Sequence, residues 1–261
     1  MDYTTMSPKE VRARISRGEI TIPTSGMCAG YAQANLVILP KELAYDFLLF
    51  TQRNPRSCPL LEVSDTGNRF LRTIAKGADI ATEIPRYRIY RNGVLDGEYT
   101  DISSFWQDDF VSFLIGCSFS FESALIEENI PVRHIEECCN VPMYKTNIPC
   151  ESAGIFHGNM VVSMRPVPYE LIPRAVLITG EMPRVHGAPI HIGDPEHIGI
   201  HDLAHPDFGD MVTIREGEVP LFWPCGVTPQ NVVMESHPSL AITHAPGHML
   251  ITDIKNTELK Y

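Results

Sequence analysis

Positive charge, long apolar runs and cysteine pairs are all scarce in this sequence, and each shortage removes a class of function. Its 21 lysines and arginines face 32 aspartates and glutamates, a formal charge of -11 over 261 residues. Phosphate binding needs clustered positive charge, so this balance argues against nucleic acid or an anionic membrane as partner. A small anionic substrate is still compatible with it, because an acidic surface can hold a local basic pocket. No uninterrupted apolar stretch approaches the roughly 18 residues of a membrane-crossing helix. The opening residues, MDYTTMSPKEVRARISRGE, lack the apolar core of a secretion signal, so a cytoplasmic location is the expectation. The seven cysteines are odd in number and scattered, with no C-x-x-C. That spacing disfavours a thiolate zinc site or a thioredoxin-like motif. Solenoid-length repeats and low-complexity tracts are missing as well.

What is present reads as an ordinary globular chain, 44% hydrophobic and 20% charged. Ser7, Pro8, Glu10 and Gly18 mark the cap, first turn and end of an opening helix. A second helix follows Pro40 and stops before Pro55. PLLEVSD reads as a short strand, and Asn92-Gly93 as the turn of a hairpin in YRIYRNGVLDGEY. SSFWQDDFVSFLIG reads as a helix ended by Gly116, and SFESALIEEN as another that stops before Pro131. VRHIEEC reads as a strand. MVVSMRP is a strand whose alternation puts Val161, Ser163 and Arg165 on one face. YELIPRAVLITGEM has helical spacing, and MVTIREGEVPLFWPC reads as a hairpin around Glu216-Gly217. A short helix from Thr228 and two closing strands, AITHAP and HMLITD, complete the chain. Helices and strands alternate throughout, which predicts an α/β or mixed α+β fold.

Chemistry-bearing residues concentrate between His186 and Asp210. This stretch holds His186, His191, His197, His201 and His205 with Asp194, Asp202, Asp207 and Asp210, on a backbone broken by glycine and proline. Imidazoles and carboxylates together suit a divalent metal, yet no strict metal motif is met. Histidines and aspartates that bond to turn backbone are the plainer alternative. A second group is Gly116-Cys117-Ser118-Phe119-Ser120-Phe121-Glu122. A helix beginning near Ser118 would offer free amides to an anion, or Ser118 or Ser120 simply caps it while Glu122 complements its dipole. Lys145 and Arg165 can each hold a carboxylate, arginine in the bidentate way. For Lys145 an ordinary surface cation is the simpler reading, whereas Arg165 closes an apolar strand where a free charge is costly. Cys225 precedes the helix start at Thr228, an arrangement that can lower a thiol pKa. His248, in the tight turn Pro246-Gly247-His248, is placed to project into a cleft.

Taken together, GCSFSFE, YKTNIPC, VVSMRP, HGAPIHIGDP, DLAHPDFGD, FWPCGVTPQ and APGHMLITD resemble the D-glutamate cyclase family. Its bacterial members are commonly called hydro-lyases. The resemblance implies a carbon–oxygen lyase in amino-acid metabolism that cyclises D-glutamate, or a similar small amino or hydroxy diacid, to 5-oxo-D-proline with loss of water. It also implies a three-layer α/β/α domain plus a smaller two-layer α/β domain. The loop-rich segment after Asn140 and the hairpin near Glu216 set these expected bounds at 1–140 with 220–261, and 141–219. On this reading Ser118, Ser120, Glu122, Lys145, Arg165 and Cys225 bind substrate, and His191 or Asp194 moves protons with His248 in reserve. The expectation is no cofactor, with the metal question open, and a homo-oligomer is compatible with it. Two other readings stay open: a metal-dependent hydrolase or hydratase using residues 186–210, and a non-catalytic binder of small acids.

Overall fold

A computed structural model of the chain describes residues 2–260. Six α-helices and eleven strands in the described residues form a mixed α+β fold with two antiparallel sheets. Helix α1 (Pro8–Ser16) begins as its sequence predicts: Ser7 Oγ accepts from the Glu10 N–H at 3.3 Å, with Pro8 in the first turn. Its buried Arg12 reaches Asp253 at 2.8 Å and Glu83 at 3.0 Å.

Strand β1 (Tyr31–Pro40) is almost wholly buried and sits at the centre of the larger sheet. The order is β2 (Leu60–Val63), β5 (Phe110–Gly116), β1, β10 (Ala241–His244), β3 (Tyr87–Arg91) and β4 (Val94–Tyr99), with β11 (Leu250–Lys255) also beside β1. Asn92 and Gly93 turn β3 into β4 with φ of 49° and 76°, the left-handed pair that an Asn-Gly hairpin uses. Helices α2 (Lys41–Arg53) and α6 (Thr228–Ser236) cover one face, setting Phe47, Phe50, Val232 and Val233 against Val37, Phe113 and Ile115. The other face, with Leu36, Ile38 and Leu114, is covered by the turn-rich segment 71–84 rather than by helix. Glu62 anchors that segment, accepting from the N–H groups of Arg72 at 2.7 Å and Ile74 at 2.9 Å and from the Thr73 hydroxyl at 2.6 Å.

The smaller sheet runs β6 (Met143–Pro149), β7 (Asn159–Pro168), β9 (Glu218–Pro224) and β8 (His191–Ile192). Along β7, alternation gives two distinct faces. Val167 on one face packs with Leu221 and Trp223 against α3 (Phe119–Glu127) and α5 (Ile172–Gly180). Val162 and Met164 on the other meet Tyr144 and Phe222 beneath Ile198, Ile200 and Val212.

Three local expectations change. Residues 103–116 form a short 3-10 turn and then β5, not a helix. Every residue of Phe110–Gly116 is buried, so the strand has no polar face to show period two. The expected strand VRHIEEC is the single helical turn α4 (Arg133–Glu136). The hairpin around Glu216-Gly217 is only half made: residues 211–217 are loop, and β9 pairs with β7 and β8 instead. Among the described residues no helix is long and apolar enough to cross a membrane.

Candidate active site

Arg165 lies on the α3 side of β7 and is about 1% exposed. A buried charge is costly unless paired, and this one is paired on every side. Its Nε donates to Glu122 Oε1 at 3.1 Å, and Nη2 reaches the same oxygen. Nη1 donates to Ser163 Oγ at 3.0 Å and Nη2 to Ser118 Oγ at 3.1 Å. The guanidinium also sits 5.1 Å from the Phe121 ring centre and 5.5 Å from that of Trp223. Such contacts attract a cation through the ring quadrupole. Ser118 thus occupies the N-cap position of α3 without capping the backbone, its hydroxyl committed to the arginine.

Glu122 gathers two further groups. His134 Nε2 lies 3.2 Å from Oε1, and the Ser25 hydroxyl 3.4 Å from Oε2 and 3.5 Å from the same His134 nitrogen. Serine and carboxylate therefore share one imidazole nitrogen, unlike the two-nitrogen relay of a Ser-His-Asp triad. The His134 ring stacks on Phe119 at 5.9 Å. Burial pushes the Glu122 carboxyl upward, but the charges of His134 and Arg165 and their hydrogen bonds outweigh it and hold it at about 2. The carboxylate stays ionised through neutral pH.

Glu122 also faces a cavity of about 370 Å³. The segment 26–30 forms one wall with Gly26, Cys28 and Gly30 in left-handed conformations; Gln33, Phe119, Ser123 and Ile135 form others. Asn256 completes the lining, its Nδ2 donating to Ser123 Oγ at 3.0 Å. The volume falls in the range of small-molecule sites.

Of the residues singled out in the sequence, Ser118, Glu122 and Arg165 come together. Ser120 sits beside them, its hydroxyl accepting from the Gln33 N–H at 3.0 Å. Cys225 packs with Cys117 in a small apolar cluster, and burial raises its thiol to about 11, outweighing the Val227 N–H and the charge of Arg165. Lys145 pairs with Val161, on the same sheet face as Arg165 but four residues away along the ladder, ~13 Å at 3.3 Å per residue.

His191 pairs with Phe222, and its ring packs on that side chain, so it lies on the opposite sheet face from Arg165. Its Nε2 contacts the Asp194 carbonyl at 2.6 Å, while the Asp194 carboxylate accepts from the Glu196 N–H at 3.0 Å. The structure does not bring this pair to Arg165. His248 lines a second, polar cavity with Arg86, Arg88 and Asp207. Among the described residues no three His, Cys, Asp or Glu side chains are grouped to hold a metal ion. Ser25 and His134 escaped the sequence reading. They lie 109 positions apart, and neither falls in a recognisable motif.

A family model described as D-glutamate cyclase matches residues 111–253, more than half of the chain. That stretch includes Ser118, Glu122, His134, Ser163 and Arg165. The chain belongs to the D-glutamate cyclase family. Two relatives named "Putative hydro-lyase" match along nearly their whole length. One, from Clostridium beijerinckii, is 69% identical over 261 residues, covering 100% of both chains. The other, from Psychrobacter arcticus, is 61% identical over 259 residues, covering 99% of this chain and 98% of that one. Among solved structures, a nitrogen repressor-like protein from Methanococcus jannaschii aligns over 94% of this chain and 97% of that one. Its 8% identity and TM-score of 0.38 are too low to inform on function.

Proposed function

We propose that the protein is a carbon–oxygen lyase of the hydro-lyase kind that cyclises a small amino diacid such as D-glutamate to 5-oxo-D-proline with loss of water. The observation that carries this reading is the buried Arg165–Glu122–His134 cluster opening, through Glu122, onto a cavity of ligand size. Ionised Glu122 anchors the substrate ammonium. With its Nε2–H on Glu122, His134 gives this proton to the side-chain carboxylate and then takes one from the ammonium, and the freed amine attacks the carboxyl carbon, forming the ring C–N bond. The Ser25 hydroxyl donates to the oxyanion that develops, as an oxyanion-hole group does. The imidazolium then protonates the carboxyl hydroxyl, the C–O bond breaks, water leaves, and Nε2 takes the second proton from the ring nitrogen, which restores the starting state of His134. Gln33, Ser123 and Asn256 supply neutral hydrogen-bonding groups along the cavity wall. Arg165 is a positioning residue: it fixes Glu122 and keeps it ionised. All seven cysteines are unpaired, which suits a reducing, cytoplasmic setting.

Mass spectrometry of the purified protein incubated with D-glutamate, L-glutamate and small hydroxy diacids, with and without chelator, tests the reading. Loss of one water from an amino diacid, unaffected by chelator, is expected. Intact substrates throughout would remove the lyase reading, and chelator sensitivity would remove the metal-free proton transfer described above.

A further inference from the structure

A second cavity, of about 510 Å³, opens where the β10–β11 turn meets β3, β4 and the loop around Asp207. Arg86, Arg88, Glu98, Asn140, Asp207 and His248 supply its polar walls, with Phe208 as apolar lining. None of these residues belongs to the Glu122 cluster. Arg88 Nε is held by Glu98 at 2.8 Å, whereas Arg86 makes only long contacts of 3.5 Å to Glu98 and to the Thr21 carbonyl. A guanidinium has five N–H donors, so Arg86 retains most of its capacity for a ligand.

On the other side, Asp207 Oδ2 accepts the Lys145 N–H at 2.8 Å, leaving Oδ1 available. Asn140 Oδ1 is buried and has no hydrogen-bond partner among the described residues. His248 donates Nδ1–H to the Pro246 carbonyl at 2.9 Å, and burial lowers its pKa, so the imidazole is neutral. The walls thus carry two guanidiniums against two carboxylates. A bare anion would meet Asp207, Glu98 and a chain of net charge -11, and a bare cation would meet both arginines. A ligand bearing both signs satisfies each wall. We infer that this cleft binds a free α-amino acid as its zwitterion, the carboxylate on Arg86 and the ammonium at Asp207 and the Asn140 amide oxygen. The inference is independent of the reaction proposed at Glu122.

Isothermal titration of the full chain with glycine and alanine, neither of which can cyclise, tests it. Acetate, ethylamine and inorganic phosphate serve as single-charge probes. Saturable binding of the two amino acids is expected, with the single-charge probes weaker by roughly tenfold or more. Arg86→Gln and Asp207→Asn should each weaken amino-acid binding by a similar factor. No saturable binding of glycine or alanine would overturn the assignment. So would equal binding of acetate or phosphate, or binding that survives both Arg86→Gln and Asp207→Asn.

Discussion

Glu122 is the side chain through which the buried charges of the site are connected to its cavity. Removing Arg165 would leave that carboxylate buried with one cation fewer, so Arg165→Ala should destabilise the fold by about 3–5 kcal/mol, the range for breaking a buried pair. Urea denaturation measures this directly. The pH dependence has a definite sign, because Glu122 titrates at about 2 in the folded protein and in the ordinary carboxylate range when unfolded. Its stabilisation is present above the unfolded pKa and is lost as pH falls from about 5 towards about 2. Thermal melts of wild type and Glu122→Gln should therefore converge as the solution is acidified. A constant gap between the two would contradict the assignment. Residues of this kind were partly legible in the sequence. Arg165 was conspicuous because it ends an apolar strand, and Ser118 and Glu122 because they open a helix after Gly116. Ser25 and His134 were not, since only the fold brings a loop before β1 to a helical turn after Pro131.

At the level of elements, capping and turn chemistry located α1 and the β3–β4 hairpin because their signals are local. β5 has no such signal: burial on both faces erases the alternation that identifies a strand. Two features argue for tests at this scale. Gly226 approaches β1 so closely that a Cβ there would overlap the Asn35 amide, whose Nδ2 donates to the Gly116 carbonyl at 2.8 Å. Gly226→Ala should cost about 1–3 kcal/mol, as overpacking does, and lower the melting temperature. Glu62 ties the turn-rich segment to β2: burial raises its carboxyl pKa, but the Ile74, Arg72 and Thr73 N–H groups and the Thr73 hydroxyl together lower it further. Glu62→Ala should speed amide exchange across residues 71–84 while leaving β1 protected. Uniform loss of protection would show that the segment has no separate anchor.

Across the whole molecule, the site lies where the two sheets share a core, with Ala32 of β1 beside Phe121 of α3 and Trp223 of β9. This junction explains why His191 and Asp194, in the densest chemical signal of the sequence, are not at the Glu122 cluster, although buried His186 at the start of that stretch lies near Gly116 and Arg165. Side-chain alternation sends His191 and Arg165 to opposite faces of one sheet, and the loop carrying Asp194 uses its carboxylate to cap its own backbone. Sequence density could not show that, because the register of β8 along β9 is decided by tertiary pairing. The proposed reaction removes water from the substrate at Glu122 and His134. Turnover of D-glutamate by Glu122→Gln, His134→Asn, His191→Asn and Asp194→Asn, each checked for folding, is the decisive measurement. The first two should lose at least about 100-fold in rate, on the scale of a general acid–base contribution, and the last two should match wild type. Full activity in His134→Asn, or loss confined to His191→Asn and Asp194→Asn, would contradict it.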